Sequence, residues 1–541
     1  MRSLPWWFLA VAPAGAALTV SGCNQISGVS DYQRVNQIIE PRCFFNAECA
    51  ARRNDPTSVC RKDTGVCVKL TSEECAIEGA DYQNDEAFIF ASILPLTNSE
   101  GELSAGDPLR KAMRLALADF RSEAGGLPGR PGGPSPRPFV MLECNDRGNL
   151  DVARRAARHV AAAGLPAVLG PMFSGITYSV ADEITIDAGI FLLSPTASTQ
   201  SISALDDGNL VWRTAPTVDL QVEALARFMP IVEYDPGVRA TFGLNEGDPI
   251  RVATVSKGDA FGAGLAAGLR SQLTFNNRPA TNLENDRYFS GVRYGDPARQ
   301  DVTADDYEAA VDVLVTARPH VVFLLGVDEI NTEVLPRLEA KWGDGAPRPI
   351  YLSASGPYAP SLFTFLEGAG AATDVRSRIF GVVPGTNNNV FGSFRRLYGD
   401  TYPGAGSEAD TSGPSHSYDA VYLLGFAAVA LGAQPITGAN IASMMTRMVA
   451  PGAPVVEAGP GQLASTLNLL AQEGVIDFSG ASGPVEFNDK GDSPVSEMQF
   501  WCIEGTNKGR YSGAFYSIDK RLVIGAGALT TLEPIRTACG L

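Results

Sequence analysis

From Glu86 onward the chain repeats one pattern, a short apolar run, a turn, then apolar positions spaced three and four apart. The stretch EAFIFASILPL (86–96) predicts a buried strand. In the following DPLRKAMRLALADF, residues Leu109, Ala112, Met113, Ala116, Leu117 and Phe120 share one face of a helix. The Gly/Pro-rich run 125–136 ends that helix. Strands at 139–144, 167–170 and 190–194, with helices near 150–163 and 175–188, continue the cycle. A second series has strands at 251–256, 320–326, 350–354 and 379–383, with a helix near 259–273. Alternating strand and helix is the pattern of parallel sheets covered by helices, so two series predict two sheets. Between 275 and 300 the polar, Asn/Asp-rich composition predicts an elaborated surface loop.

The first residues break this pattern. Arg2 precedes an apolar stretch, Pro5 to Val20, that is too short and too rich in Pro and Gly to span a bilayer. It predicts a signal peptide over 1–22. The stretch ends in Val20-Ser21-Gly22-Cys23, which resembles the bacterial lipobox; the resemblance implies that Cys23 becomes the lipidated mature N-terminus. An ordinary signal peptide with a chance cysteine is the alternative. An acyl chain would hold the protein at a bacterial membrane, on its periplasmic or cell-surface side.

Export changes how the cysteines read. Without Cys23, eight of the nine remain, an even number for an oxidising compartment. Cys43, Cys49, Cys60 and Cys67 crowd into a polar stretch with too few apolar residues for a core of its own, predicting a module (43–80) stapled by two bridges of open connectivity. A metal site is the weaker reading, because the short Cys-x-x-Cys knuckle is missing. For the others we expect Cys75 with Cys144 and Cys502 with Cys539.

Composition narrows the partners. A formal charge of −17 repels nucleic acid, and no Lys/Arg run with interleaved aromatics offsets it. His159, His320 and His416, the three histidines, lie far apart and outside metal-ligand spacing, so no metal and no cofactor is expected. With 45% apolar residues over 541 positions, the chain can build two cores.

Several phrases carry a family likeness, in order: ILPLTNSEGELSAGDPLRKAMRLALADF (93–120), AVLGPMFSG (167–175), GIFLLSPTASTQSI (189–202), LVWRTAPTVDLQVEALA (210–226), KGDAFGAGLAAGL (257–269), SYDAVYLLGFAA (417–428) and GASGPVEFNDKGD (480–492). They resemble the type I periplasmic binding proteins, in particular the leucine/isoleucine/valine-binding, receptor-ligand-binding family. The resemblance implies two Rossmann-like lobes joined by three crossovers, with a solute held in the cleft between them. On that pattern, 84–217 plus 384–475 form lobe 1, and 218–383 plus 476–541 form lobe 2, after a linker at 23–42. In open α/β sheets the loops at the strand C-termini face such a crevice, where helix starts present N–H groups to an anion.

Ser174, Thr196 and Ser198 match positions where the family holds an amino acid's carboxylate and amino groups, although helix caps also favour Ser and Thr. In lobe 2 the candidates are Phe261 in the turn after strand 251–256, Asp328 after 320–326 and Ser355 after 350–354. The branched-chain binders place a glutamate near this last loop to neutralise the ligand ammonium; Ser355-Gly356-Pro357-Tyr358 has none, and Asp328 is the replacement if it points inward. Tyr418 matches a position near the cleft, with core packing as an equal explanation.

An enzyme is the poorer reading. Gly262, Gly264 and Gly268 open a helix after a strand, but no strand-end acid supports ribose binding, and no Gly-x-Ser-x-Gly elbow is present. The expectation is therefore capture of a small, amino acid-like solute for an ABC permease. A sensing or a structural lipoprotein is the alternative.

Overall fold

The computed structural model describes residues 41–343, 345–368, 375–385, 388–493, 496–505 and 508–541. The expected signal peptide and lipidated Cys23 lie outside the described residues. From Cys43 to Leu541 the chain forms one compact unit.

Lobe 1 is built on a six-stranded sheet. Its order is Cys75–Ile77, Phe139–Asn145, Phe88–Leu94, Ala167–Leu169, Phe191–Ser194, Val211–Arg213, with only the first strand antiparallel. The strands are buried along almost their whole length because helices cover both faces. Helix Gly106–Ala124 buries Leu109, Ala112, Met113, Ala116 and Phe120 against helix Pro414–Ala430, every residue of which is buried.

Lobe 2 holds a nine-stranded sheet. Five parallel strands, Phe289–Arg293, Val252–Ser256, Val321–Leu325, Ile350–Ser353 and Ile379–Pro384, continue into an antiparallel run from Met498–Ile503 through Gly509–Tyr516. The polar stretch 275–300 is more than the expected surface loop. It carries the edge strand Phe289–Arg293, whose alternation is masked by Ser, Gly and Arg on a half-buried edge.

The chain passes between lobes three times, after Arg213, after Pro384 and after Ser493. Arg213 and Asp492 tie the first and third passages through a buried ion pair, Arg213 Nε donating to Asp492 Oδ1 at 3.0 Å. The lobe boundary at 476 needs correction. Strands Val455–Glu457, Asp477–Gly480 and Gly483–Pro484 form a small sheet that places Val456, Phe478 and Ala481 in the lobe 1 core. Asp419 on helix Pro414–Ala430 pins it there, accepting from the amides of Ala481 and Ser482 at 2.8 Å each.

Four disulfides join Cys43 to Cys60, Cys49 to Cys67, Cys75 to Cys144 and Cys502 to Cys539, the last two as expected. The first two form the buried cluster of the N-terminal module, and their sulfurs are thereby committed to bridges instead of a metal. The module rests on lobe 1: Val59 and Leu70 enter its core, and Arg61 Nη1 donates to the Ala162 carbonyl at 3.2 Å. No helix among the described residues is long and apolar enough to cross a membrane.

Candidate functional site

The C-terminal ends of the parallel strands in the two sheets face one another, and the loops that follow them meet. Contacts among these loops bring lobe 1 against lobe 2. The Ser412 amide donates to the Tyr358 carbonyl at 3.3 Å, and Thr199 Oγ1 donates to the Ala260 carbonyl at 3.3 Å. Lys257 Nζ stands 5.0 Å over the Phe173 ring, and Asp328 accepts from the Ala105 amide. The lobes are shut, leaving an opening of about 580 Å³ at one side. Gly175, Tyr178, Ser179 and Ser201 line it from lobe 1; Asp259, Arg293, Asp296, Arg299 and Asp301 line it from lobe 2.

On lobe 1, hydroxyls knit the loops. Strand Ala167–Leu169 ends in Gly170-Pro171, and helix Ser174–Val180 begins three residues later. Ser174 Oγ accepts from the Ser198 amide at 3.1 Å and the Thr199 amide at 3.4 Å. Thr196 Oγ1 donates to the Met172 carbonyl at 2.6 Å, and Ser194 Oγ donates to the Pro171 carbonyl at 2.7 Å. The three expected residues Ser174, Thr196 and Ser198 are therefore brought together, with two hydroxyls holding the loops in place.

Lobe 2 supplies ions. Lys257, at the end of strand Val252–Ser256, is buried between Asp259 Oδ2 at 3.1 Å and Asp296 Oδ1 at 3.4 Å. Burial alone would lower its ammonium, but the carboxylates of Asp259, Glu329 and Asp296 outweigh burial and hold it above its ordinary value. Asp259 also caps helix Ala260–Gln272, accepting from the Gly262 amide at 2.9 Å. Gly175, at the start of the lobe 1 helix, lies against both acids: a Cβ there would stand 3.7 Å from Asp259 and 3.9 Å from Asp296. Asp328 takes a hydrogen bond from Ser361 Oγ at 2.6 Å, and its carboxyl is pushed up to about 6, mainly by burial. Next to it, Glu329 Oε1 accepts from Tyr294 Oη at 2.7 Å.

The remaining expected residues are placed differently. Ser355 is buried, its amide donating to Gln221 Oε1 at 3.0 Å. Phe261 packs in the lobe 2 core, because its helix turns that face toward Leu265 and Leu269. Tyr418 lies in the lobe 1 core, its ring tilted against Phe394 and its hydroxyl hydrogen-bonded to Asp119, so core packing accounts for it. Sequence reasoning passed over Lys257, Asp259 and Asp296. The first two stand in KGDAFGAGLAAGL at a strand end, a placement that signals a crevice; Asp296 sits in the polar stretch 275–300, whose composition predicts a surface loop.

Two α/β lobes, linked by three passages and shut on a loop-lined opening, define a two-lobed binding-protein fold. The chain belongs to the periplasmic binding protein family, whose model matches residues 90–455. It is 27% identical over 201 residues, 37% of the chain, to the Leu/Ile/Val-binding protein BraC3 of Rhizobium johnstonii; that match covers 47% of the relative, about half its length. Among solved structures, the leucine-binding protein LivK of Thermotoga maritima aligns with a TM-score of 0.55 at 15% identity, covering 80% of this chain and 99% of that one. The isoleucine-bound LivJ of Streptococcus pneumoniae gives 0.53 at 13%, covering 78% and 98%. A solute-binding protein from R. palustris, in complex with benzoate, gives 0.53 at 14%, covering 82% and 99%. At these identities the structures establish the shared fold.

Proposed function

We propose that the chain captures a small amino acid-like solute between its lobes and delivers it to an ABC importer, held at the membrane by a lipid on Cys23. The observation that carries this reading is the charge of the opening, which holds Asp259, Asp296 and Asp301 beside Arg293 and Arg299 within about 580 Å³. Both signs of charge at a site of that size suit a guest that is itself a zwitterion. Arg293 and Arg299 supply partners for a carboxylate, and Asp301 a partner for an ammonium. The curated relative's name, a Leu/Ile/Val-binding protein, points to the same class of solute. Shutting of the lobes on the solute then presents a surface for a permease.

A thermal-shift screen of the disulfide-intact chain, unfolded and refolded to strip carried-over solute, tests this. The panel holds amino acids, small carboxylates, amides and short peptides. At 100 times its dissociation constant a ligand adds about 2.7 kcal/mol, a rise of several degrees. A hit among amino acids, weakened by Asp301→Ala, supports the proposal. Hits confined to uncharged or apolar compounds would overturn the assignment of a zwitterion.

A further inference from the structure

A second cavity, of about 780 Å³, opens away from the charged opening of the cleft. One wall is helix Asn389–Thr401 and the turn Gly406–Asp410 of lobe 1; the other is Glu504 and the start of strand Gly509–Tyr516 of lobe 2. The groove lining carries four cations from the two lobes beside three acids, Asp400, Asp410 and Glu504. Arg395 and Arg396 stand on lobe 1, Lys508 and Arg510 on lobe 2. Arg395 is committed to the buried carboxylate of Asp410, donating from Nε at 3.0 Å and Nη2 at 2.8 Å. Arg396, Lys508 and Arg510 are exposed, the last 3.7 Å from Glu504.

The walls are also open at the backbone. Gly392, Gly404 and Gly406 line the groove, and a Cβ on any of them would meet nothing within 4 Å. Behind the wall at Gly509 lies Tyr358, fully buried, so close that a Cβ on that glycine would clash with its hydroxyl, which has no hydrogen-bond partner among the described residues. Tyr511 Oη donates to the Asp410 carbonyl at 2.9 Å, so the two walls already touch in the shut form.

We propose that this groove binds a small multivalent oxyanion, a polycarboxylate or phosphate, bridged between Arg396 of lobe 1 and Lys508 and Arg510 of lobe 2. Guanidinium forks match carboxylate and phosphate oxygens in pairs, and an anion between like charges relieves their repulsion. Because the two walls belong to different lobes, the anion favours the form in which they stand together. Binding there and shutting of the cleft are then linked, each strengthening the other.

Titration calorimetry of the full chain with citrate and with inorganic phosphate tests this, with sodium chloride at matched ionic strength as control. The expected result is saturable binding of citrate or phosphate at about millimolar or tighter. Arg396→Ala and Arg510→Ala should each weaken it by about tenfold, the loss of one charge-assisted contact. Asp301→Ala, at the cleft opening, should leave it unchanged. Binding of citrate alone or of phosphate alone supports the groove and identifies which oxyanion it takes. Absence of saturable binding by both anions would overturn the proposal. So would a loss seen with only one of the two arginines, which removes the bridge, or a loss with Asp301→Ala, which moves the anion to the cleft.

Discussion

The two walls of the cleft are held together by different physics. On lobe 1, neutral hydroxyls of Ser174, Ser194 and Thr196 tie the loops to backbone groups. On lobe 2, a buried lysine sits between two aspartates, with Asp328 and Glu329 nearby. Hydrogen bonds between neutral groups are each modest and indifferent to pH, whereas buried charges depend strongly on one another and on protonation. Lobe 1 therefore offers a fixed platform, and lobe 2 a wall whose energetics respond to charge.

The largest test of that difference is Lys257→Met. It leaves Asp259 and Asp296 facing one another in a buried site without their cation, and should cost about 3–5 kcal/mol in denaturant unfolding at neutral pH. A cost below about 1 kcal/mol would mean that solvent already screens the triad.

Asp328 gives the next effect and a pH signature. Its folded value of about 6 lies above the ordinary 3.8, so the folded state prefers the protonated carboxyl. That preference is fully expressed below about pH 4 and is lost as pH rises through 6. Asp328→Asn should accordingly stabilise the chain by about 1–3 kcal/mol at pH 7.5, with the gain vanishing by about pH 4. A gain that is the same at both pH values would remove the carboxyl's titration as its cause.

Lobe 1 substitutions should be smaller and flat with pH. Ser174→Ala removes the acceptor of two buried amides and should cost about 1–2 kcal/mol; Thr196→Val, at a half-buried site, about 0.5–1 kcal/mol. Melting curves at pH 5 and pH 8 should show the same loss. A pH-dependent loss would show that the two walls are coupled rather than distinct.

Much of the fold was legible along the chain. Buried parallel strands such as FVMLEC and HVVFLLG are continuous apolar runs, and the Gly106–Ala124 helix shows its apolar face in its spacing. The edge strand Phe289–Arg293 was not, because a half-buried edge needs no apolar run. In the site, hydroxyl residues at strand ends marked Ser174, Thr196 and Ser198 as a group. Whether their oxygens face a guest or their own backbone depends on a partner loop some two dozen residues away.

The cysteines show the same division. Their even number and the expected export predict a bridged chain, yet Cys43 to Cys60 and Cys49 to Cys67 were decided only by the hairpin Ser58–Arg61 with Val66–Lys69 lying against helix Asn46–Arg53. Periodicity and residue type are local, so the sequence by itself determined the two lobes, their parallel strands and the loops that face the cleft. The tertiary structure decided that Tyr418 and Phe261 serve cores, that Asp296 meets Lys257, and that residues 477–484 join lobe 1. Each of those outcomes is a contact between segments distant in sequence, fixed by how the packed elements orient a side chain.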